Sequence, residues 1–233
     1  MEGATCHRAG PRNLWGRPQR ARPLRSVAQC LPTGYNARMG ALRRFCLLLF
    51  LTPLALLAEA APIEAVTIHP IFGQPFACSE HWEGNLTSLG DALGSDCVVE
   101  EMVDEDGRQW MRPYRGSGHR NEDWFGWGAD VLAPCTCEVI RVAENAVVNT
   151  PGKLGKPPAA AITFRRADGV HILLAHVAEV AVVAGAQVTA GDRVAKVGNN
   201  GMARHPHIHI GAWRGDAPLQ IRFDLAAMGR LFR

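Results

Sequence analysis

Between residues 129 and 213 apolar positions recur with a period near two, and almost nowhere with the 3.6-residue period of a helix. Residues 129–134 and 138–143 read as two strands around a turn at Pro134. Residues 149–158 are a loop by composition, rich in Pro, Gly and Lys. Residues 160–166 and 170–176 are β-rich runs on either side of Asp168-Gly169, the signature of a hairpin. Residues 188–198 form a short strand unit, and 207–213 a last alternating strand. Only Leu225–Leu231 carries a helical period. Residues 61–112 are a polar, acidic lead-in, and the charge run at 100–106 reads as a solvated turn between strands. The pattern predicts an all-β body, a small antiparallel sheet or sandwich with loops around it.

The first sixty residues follow different rules. Residues 1–38 are rich in Arg, Pro and Gly and cannot bury a core, which marks a disordered or non-native extension. From Met39 the chain runs through two arginines into an apolar stretch and reaches Ala58-Glu59-Ala60, the layout of a signal peptide over 39–60. The apolar run is shorter than the roughly 20 residues that span a bilayer, and Pro53 interrupts it. The expected mature chain begins at Ala61, is periplasmic or secreted, and keeps no stable membrane insertion. Residues 1–60 hold nine arginines and two glutamates; of the whole chain's 25 basic and 22 acidic residues this leaves 16 against 20 for 61–233, a net charge of −4. A mildly acidic body argues against nucleic acid as a partner.

Export changes the reading of the cysteines. Cys78, Cys97, Cys135 and Cys137 remain after cleavage, an even number in an oxidising compartment, so two disulfides are expected. Residues two apart along a regular strand sit roughly 6–7 Å apart, too far for an easy bridge. Each of Cys135 and Cys137 is therefore expected to pair with Cys78 or Cys97. A cysteine zinc site is the alternative, but no C-x-x-C spacing supports it.

Eight histidines lie after residue 60, and they cluster. His207 and His209 stand two apart in an alternating run, so both point to one face while Ile208 and Ile210 point to the other. Two imidazoles on one face can share a metal, or one can hold it while the other moves protons. His176 ends the 170–176 strand, on the face of Ile172 and Leu174; His171 faces the other way, so one of the two is structural. Asp130 sits in an apolar run, where an unpaired carboxylate is costly, so it calls for a metal, a cation or a turn to cap. His205 reads as a surface residue at the rim, and His69 and His81 have no partner pattern and read as structural.

Gly128-Ala-Asp130-Val-Leu-Ala-Pro134, Leu173-Leu-Ala-His176, the Gly185/Val188/Gly191 spacing, Val197-Gly-Asn-Asn-Gly201 and Pro206-His207-Ile-His209 together resemble, in order and spacing, the motifs of the lysostaphin-type (LytM-like) zinc metallopeptidases, over roughly 113–214. The resemblance implies a LytM-type peptidase domain at 113–233, preceded by the segment 61–112, and one zinc ion. It implies Asp130 and His209 as metal ligands, and His207 and His176 as catalytic residues. The family's remaining ligand stands four residues before the Asp, where this chain has Gly126. His119, eleven residues upstream of Asp130, is the nearest histidine and is taken as the third ligand.

The activity so implied is that of an exported zinc metalloendopeptidase, a monomer, cutting peptide bonds of bacterial peptidoglycan. Three protein ligands with an open position form the catalytic type of zinc site. Gly126 keeps an alternative open: a degenerate, non-catalytic module that binds peptidoglycan or regulates another hydrolase. A biotinyl/lipoyl-like hammerhead shares the Gly185-Ala-Gln-Val-Thr-Ala-Gly191 pattern but needs no H-x-H.

Overall fold

The computed structural model describes residues 62–233. The extension at 1–38, the signal peptide at 39–60 and the cleavage point before Ala61 lie outside the described residues. Fourteen strands run β1 Ala65–Ile68, β2 Phe76–Glu80, β3 Ser95–Val99, β4 Glu101–Glu105, β5 Arg108–Arg112, β6 Asp130–Leu132, β7 Cys137–Ala143, β8 Ala161–Arg165, β9 His171–Ala175, β10 Val177–Ala178, β11 Gln187–Val188, β12 Arg193–Val197, β13 Ile208–Arg214 and β14 Ala217–Phe223. A single 3₁₀ turn, Asn121–Asp123, and the terminal helix α1, Leu225–Leu231, complete the described elements. The helix starts where Asp224 caps the free N–H groups of Ala226 and Ala227. Among the described residues no helix is long and apolar enough to cross a membrane.

The main sheet has the order β1-β14-β13-β9-β8-β7-β11, with β3 also on β13 and β2 on β3. All of its pairs are antiparallel except β1 with β14. Strand β13 is central: its first half lies between β9 and β3, and its second half between β9 and β14. Ile208, Ile210 and Ala212 on one face of β13 join Ile162, Phe164, Ile172 and Leu174 in the core, as the alternation predicts. A separate sheet of three strands, β10-β12-β6, holds Asp130 directly opposite Lys196. The strands expected at 129–134 and 138–143 are present as β6 and β7, but they do not pair with each other.

The lead-in is more ordered than its polarity suggests. It supplies β1 to β5, and two of these strands join the main sheet through β13. The acidic run is itself a strand, β4, paired with β5 around Asp106 and Gly107, both at positive φ. Hairpins of this kind use the left-handed region that Asp and Gly tolerate best.

The disulfides differ from the expectation. Cys78 is bonded to Cys97, its cross-strand neighbour in the β2–β3 pair, and Cys135 is bonded to Cys137. Cys135 precedes the first residue of β7, so the chain between the two is bent rather than extended. Their Cα atoms are 5.5 Å apart, within bonding reach, whereas a regular strand would hold them farther apart. The two bridges differ in what they constrain. Replacing Cys78 and Cys97 by serine should cost about 3 kcal/mol, because that bridge closes a loop of some twenty residues. Replacing Cys135 and Cys137 should cost clearly less, since two residues apart have little separation to lose. Denaturant unfolding of both double variants tests this; an equal loss would contradict it.

Candidate metal centre and cleft

A cleft of about 800 Å³ opens beside the N-terminal half of β13. His176, His205, His207 and His209 line it, and so do His81 and Asp96 of the lead-in. Asp96 stands directly opposite His209 in the β3–β13 register, so both side chains rise from one face of the sheet. His81 follows the end of β2, the strand paired with β3 on its other side. One ligand-type atom from each of His81, Asp96 and His209 lies within 4.8 Å of the other two.

The hydrogen bonds fix which nitrogen of each ring faces inward. A backbone carbonyl can only accept, so a ring nitrogen bonded to one must donate. His81 Nδ1 donates to the Asp91 carbonyl at 2.9 Å, His209 Nε2 to Gly90 at 2.8 Å, His207 Nδ1 to His205 at 2.8 Å and His176 Nδ1 to Asn200 at 2.7 Å. In the neutral rings this leaves lone pairs on His81 Nε2, His209 Nδ1 and His207 Nε2. Those three atoms lie 3.5, 2.9 and 3.6 Å from the Asp96 carboxylate. Lone pairs and a carboxylate facing one another at these distances repel unless a cation sits among them. That cation is a proton or a metal ion. Two imidazoles and a carboxylate, each imidazole braced on a carbonyl, match the donor set and outer-shell bracing of a zinc site. The residues present therefore fit a divalent metal.

The electrostatics follow the same geometry. Burial works against ionisation of Asp96, but the His207 and His209 rings outweigh it and hold the carboxyl far below the ordinary range. Burial alone would lower His209, yet its bonds to Asp96 and the Gly90 carbonyl, with the charges of Asp96 and Asp91, raise it. His176 is pushed down to about 4, first by burial and then by the charge of His207, so it is neutral near pH 7. Its ring centre is 4.6 Å from that of His207. His205 is lowered as well, chiefly by burial. It stacks on Trp124 with ring centres 4.3 Å apart, and so is a fixed wall of the cleft rather than a free surface residue.

His176 reaches the cleft by a break in the strand pattern. Strict alternation would turn it into the core with Ile172 and Leu174, but its φ is +65°. The residue instead lines the cleft with Leu173 and Ala175. A left-handed φ is costly for a residue with a side chain and must be held in place. Gly198 N–H bonds the His176 carbonyl at 3.0 Å. The Asn200 side chain accepts from Ala160 N–H and donates to the Val177 carbonyl, each at 2.8 Å. His171 stacks on Trp213 and does not line the cleft, so of His171 in β9 and His176 just after it only His176 belongs to the site.

The expected ligands His119 and Asp130 are not brought to His209. Asp130 is on the other sheet, where its carboxylate meets Lys196 Nζ at 2.7 Å and Arg193 at 4.0 Å. Of the partners left open for it, the structure places two cations beside it, Lys196 and Arg193. His119 is exposed, and neither residue lines the cleft. The residues beside His209 are instead His81, read from sequence as structural, and Asp96, which the sequence reading passed over. Gly126, in the place of the family's usual histidine, faces Val99 of β3, the strand that carries Asp96.

Two close approaches set the turn that braces the His81 and His209 rings. A Cβ on Gly211 would lie 1.8 Å from the Gly90 carbonyl oxygen, and one on Gly94 would lie 2.9 Å from that of Ile210. Only glycine lets the turn at 88–94 lie flat on β13, and that turn offers both the Gly90 and the Asp91 carbonyl to the imidazoles. Gly211→Ala should cost about 1–3 kcal/mol of stability and weaken metal binding about 10–100-fold through the lost bracing. Denaturant midpoints and metal titration check it; an unchanged affinity in a folded variant would refute the bracing role.

The sequence model of Peptidase family M23 matches residues 123–221. Residues 123–221 are therefore similar to an M23 peptidase domain. The matched residues include Asp130, His176, His207 and His209, but begin after His81, Asp96 and His119. This match agrees with the resemblance drawn from the motifs and with the β-rich fold. No curated protein matches the chain. Similar solved structures include the catalytic domain of the prophage-encoded M23 protein EnpA from Enterococcus faecalis, at 20% identity over 63% of this chain and 87% of that one, with a TM-score of 0.40. The catalytic domain of the antimicrobial peptidase lysostaphin from Staphylococcus simulans matches at 19% identity, over 46% of this chain and 80% of that one, TM-score 0.32. A zinc-containing peptidase from Vibrio cholerae matches at 16% identity, over 55% and 47%, TM-score 0.32; this chain spans about half of its length.

Proposed function

We propose that the protein is an exported zinc metalloendopeptidase that hydrolyses peptide bonds of bacterial peptidoglycan, with His81, Asp96 and His209 as the zinc ligands. The observation that carries this reading is the convergence of three carbonyl-braced imidazoles on the single carboxylate of Asp96. The zinc would supply Lewis-acid activation of a water molecule and of the scissile carbonyl.

The chain's own residues supply the rest. Asp96 and the two ligand rings set the position of the reacting atoms. His207, with Nδ1–H fixed on the His205 carbonyl, presents a bare Nε2 on the edge of the ligand set. It takes the proton of the attacking water and passes it to the leaving amine as the peptide bond breaks. His176, kept neutral and with Nδ1–H fixed on Asn200, turns its own bare Nε2 to the same space and accepts a hydrogen bond from the water or the substrate amide. The wall of Trp124 and His205 restricts water access on one side.

The deciding experiment measures zinc content and digestion of purified peptidoglycan on the same sample. About one zinc per chain together with released peptides is the expected result. Zinc without hydrolysis would leave a binding or regulatory module; no zinc would overturn the ligand set. Export rests on the Met39–Ala60 pattern, and N-terminal sequencing of the protein outside the cytoplasm should begin at Ala61.

A further inference from the structure

We propose that Arg204, with Met202 and Leu154 beside it, forms a subsite for a carboxylate-bearing residue of the substrate peptide. The inference rests on the peptidase reading of the cleft and adds the chemistry of what that cleft selects.

Arg204 is the one Lys or Arg among the residues that line the cleft. The two carboxylates there, Asp91 and Asp96, already face the imidazoles of His209, His207 and His81. Other arginines of the sheet are matched: Arg165 meets Glu138, and Arg222 meets Glu80, each at 2.7 Å. Arg204 makes no ion pair and no side-chain hydrogen bond among the described residues. Arg204 is exposed, and its distinction among the unpaired cations is its place on the wall of the cleft.

Its backbone is held firmly. The Arg204 carbonyl accepts from Gly152 N–H at 2.8 Å, and the Ala203 carbonyl accepts from Gly155 N–H and Asn149 Nδ2, both at 3.1 Å. The loop that carries Arg204 is thereby clasped to the loop that carries Leu154. Leu154 and Met202 both line the cleft, yet stay 49% and 58% exposed. Exposed apolar side chains inside a cleft are surface that a ligand covers. Covering them also removes water from the neighbouring guanidinium and strengthens its hydrogen bonds. A guanidinium is a planar fork that matches a carboxylate in two parallel bonds. A single cation is too little for a nucleic acid backbone, which needs several.

The test uses the full chain loaded with zinc and two synthetic alanine pentapeptides that differ only in a central glutamate or glutamine, with a central-lysine version for the charge-reversed variant. Calorimetry reads binding and chromatography reads cleavage. The wild type should bind the glutamate peptide about five- to tenfold more tightly. Arg204→Gln should abolish that preference with zinc content and glutamine-peptide affinity unchanged, and Arg204→Glu should reverse it toward a lysine peptide. Equal binding of both peptides by the wild type, binding of neither, or a preference that survives in Arg204→Gln would overturn the subsite. Cleavage of neither peptide nor of peptidoglycan, with the binding preference intact, would remove the peptidase reading and leave the subsite standing. Cleavage of both at equal rates with equal affinity would do the reverse.

Discussion

His81→Ala and Asp96→Ala should each lose nearly all bound zinc, whereas His119→Ala and Asp130→Ala should keep it. The contrast is sharp because a three-ligand site that loses one ligand retains little affinity. Asp96 is the more telling of the pair. Its carboxylate is the one atom group that His81, His207 and His209 all face. Removing it leaves three imidazoles without a common anion, so the apo protein should also change stability near neutral pH. Asp130→Ala breaks a different contact, the pair with Lys196 across the β6–β12 ladder. Its carboxylate is half exposed, so the loss should be at most about 1 kcal/mol. Zinc content by elemental analysis on all four variants decides the matter. Full zinc in His81→Ala with loss in Asp130→Ala would restore the ligand set expected from the motif.

The sequence was legible where a local pattern decides the outcome. The 160–176 hairpin, the H-x-H strand and the terminal helix follow from alternation, an Asp-Gly turn and a capped helical period, all local signals. His207 and His209 share the cleft because their spacing dictates it. The proposed ligands His81 and Asp96 were not legible, because their placement beside His209 is a matter of strand order. In the motif, Asp130 follows a glycine-rich approach and precedes Ala133-Pro134, and nothing local says that its strand joins a second sheet. The pairing of β3 with β13 joins residues more than a hundred positions apart, and no period reports that. A weak signal was present: Asp96 adjoins Cys97 and His81 follows Cys78 by three residues. A bridge between those cysteines puts the two donors near each other. Reading the cysteines as partners of the 135–137 pair hid this. The face that alternation assigns to His176 differs for another reason, since a single left-handed residue inverts it.

His207→Ala should keep its zinc and lose peptidase activity by about a hundredfold to ten-thousandfold, the usual cost of removing a general base. His209→Ala should lose both. The two residues share a face of the same strand and are both buried, so burial does not tell them apart. What separates them is the direction of their bonds. His209 turns Nδ1 to Asp96 at 2.9 Å and is braced by the Gly90 carbonyl behind it. His207 stands farther off, with Nε2 at 3.6 Å from the same carboxylate, and its ring lies between those of His176 and His205. A ring at that remove can accept a proton from a water held by the ligand set and need not hold the metal itself. Glutamine at 207 is a useful second variant: its amide preserves a polar contact with the His205 carbonyl but cannot carry a proton at neutral pH. His207→Gln should therefore match His207→Ala in rate while its unfolding midpoint stays closer to wild type. If His207→Ala releases zinc as fully as His209→Ala, His207 is a ligand and the base must be sought at His176.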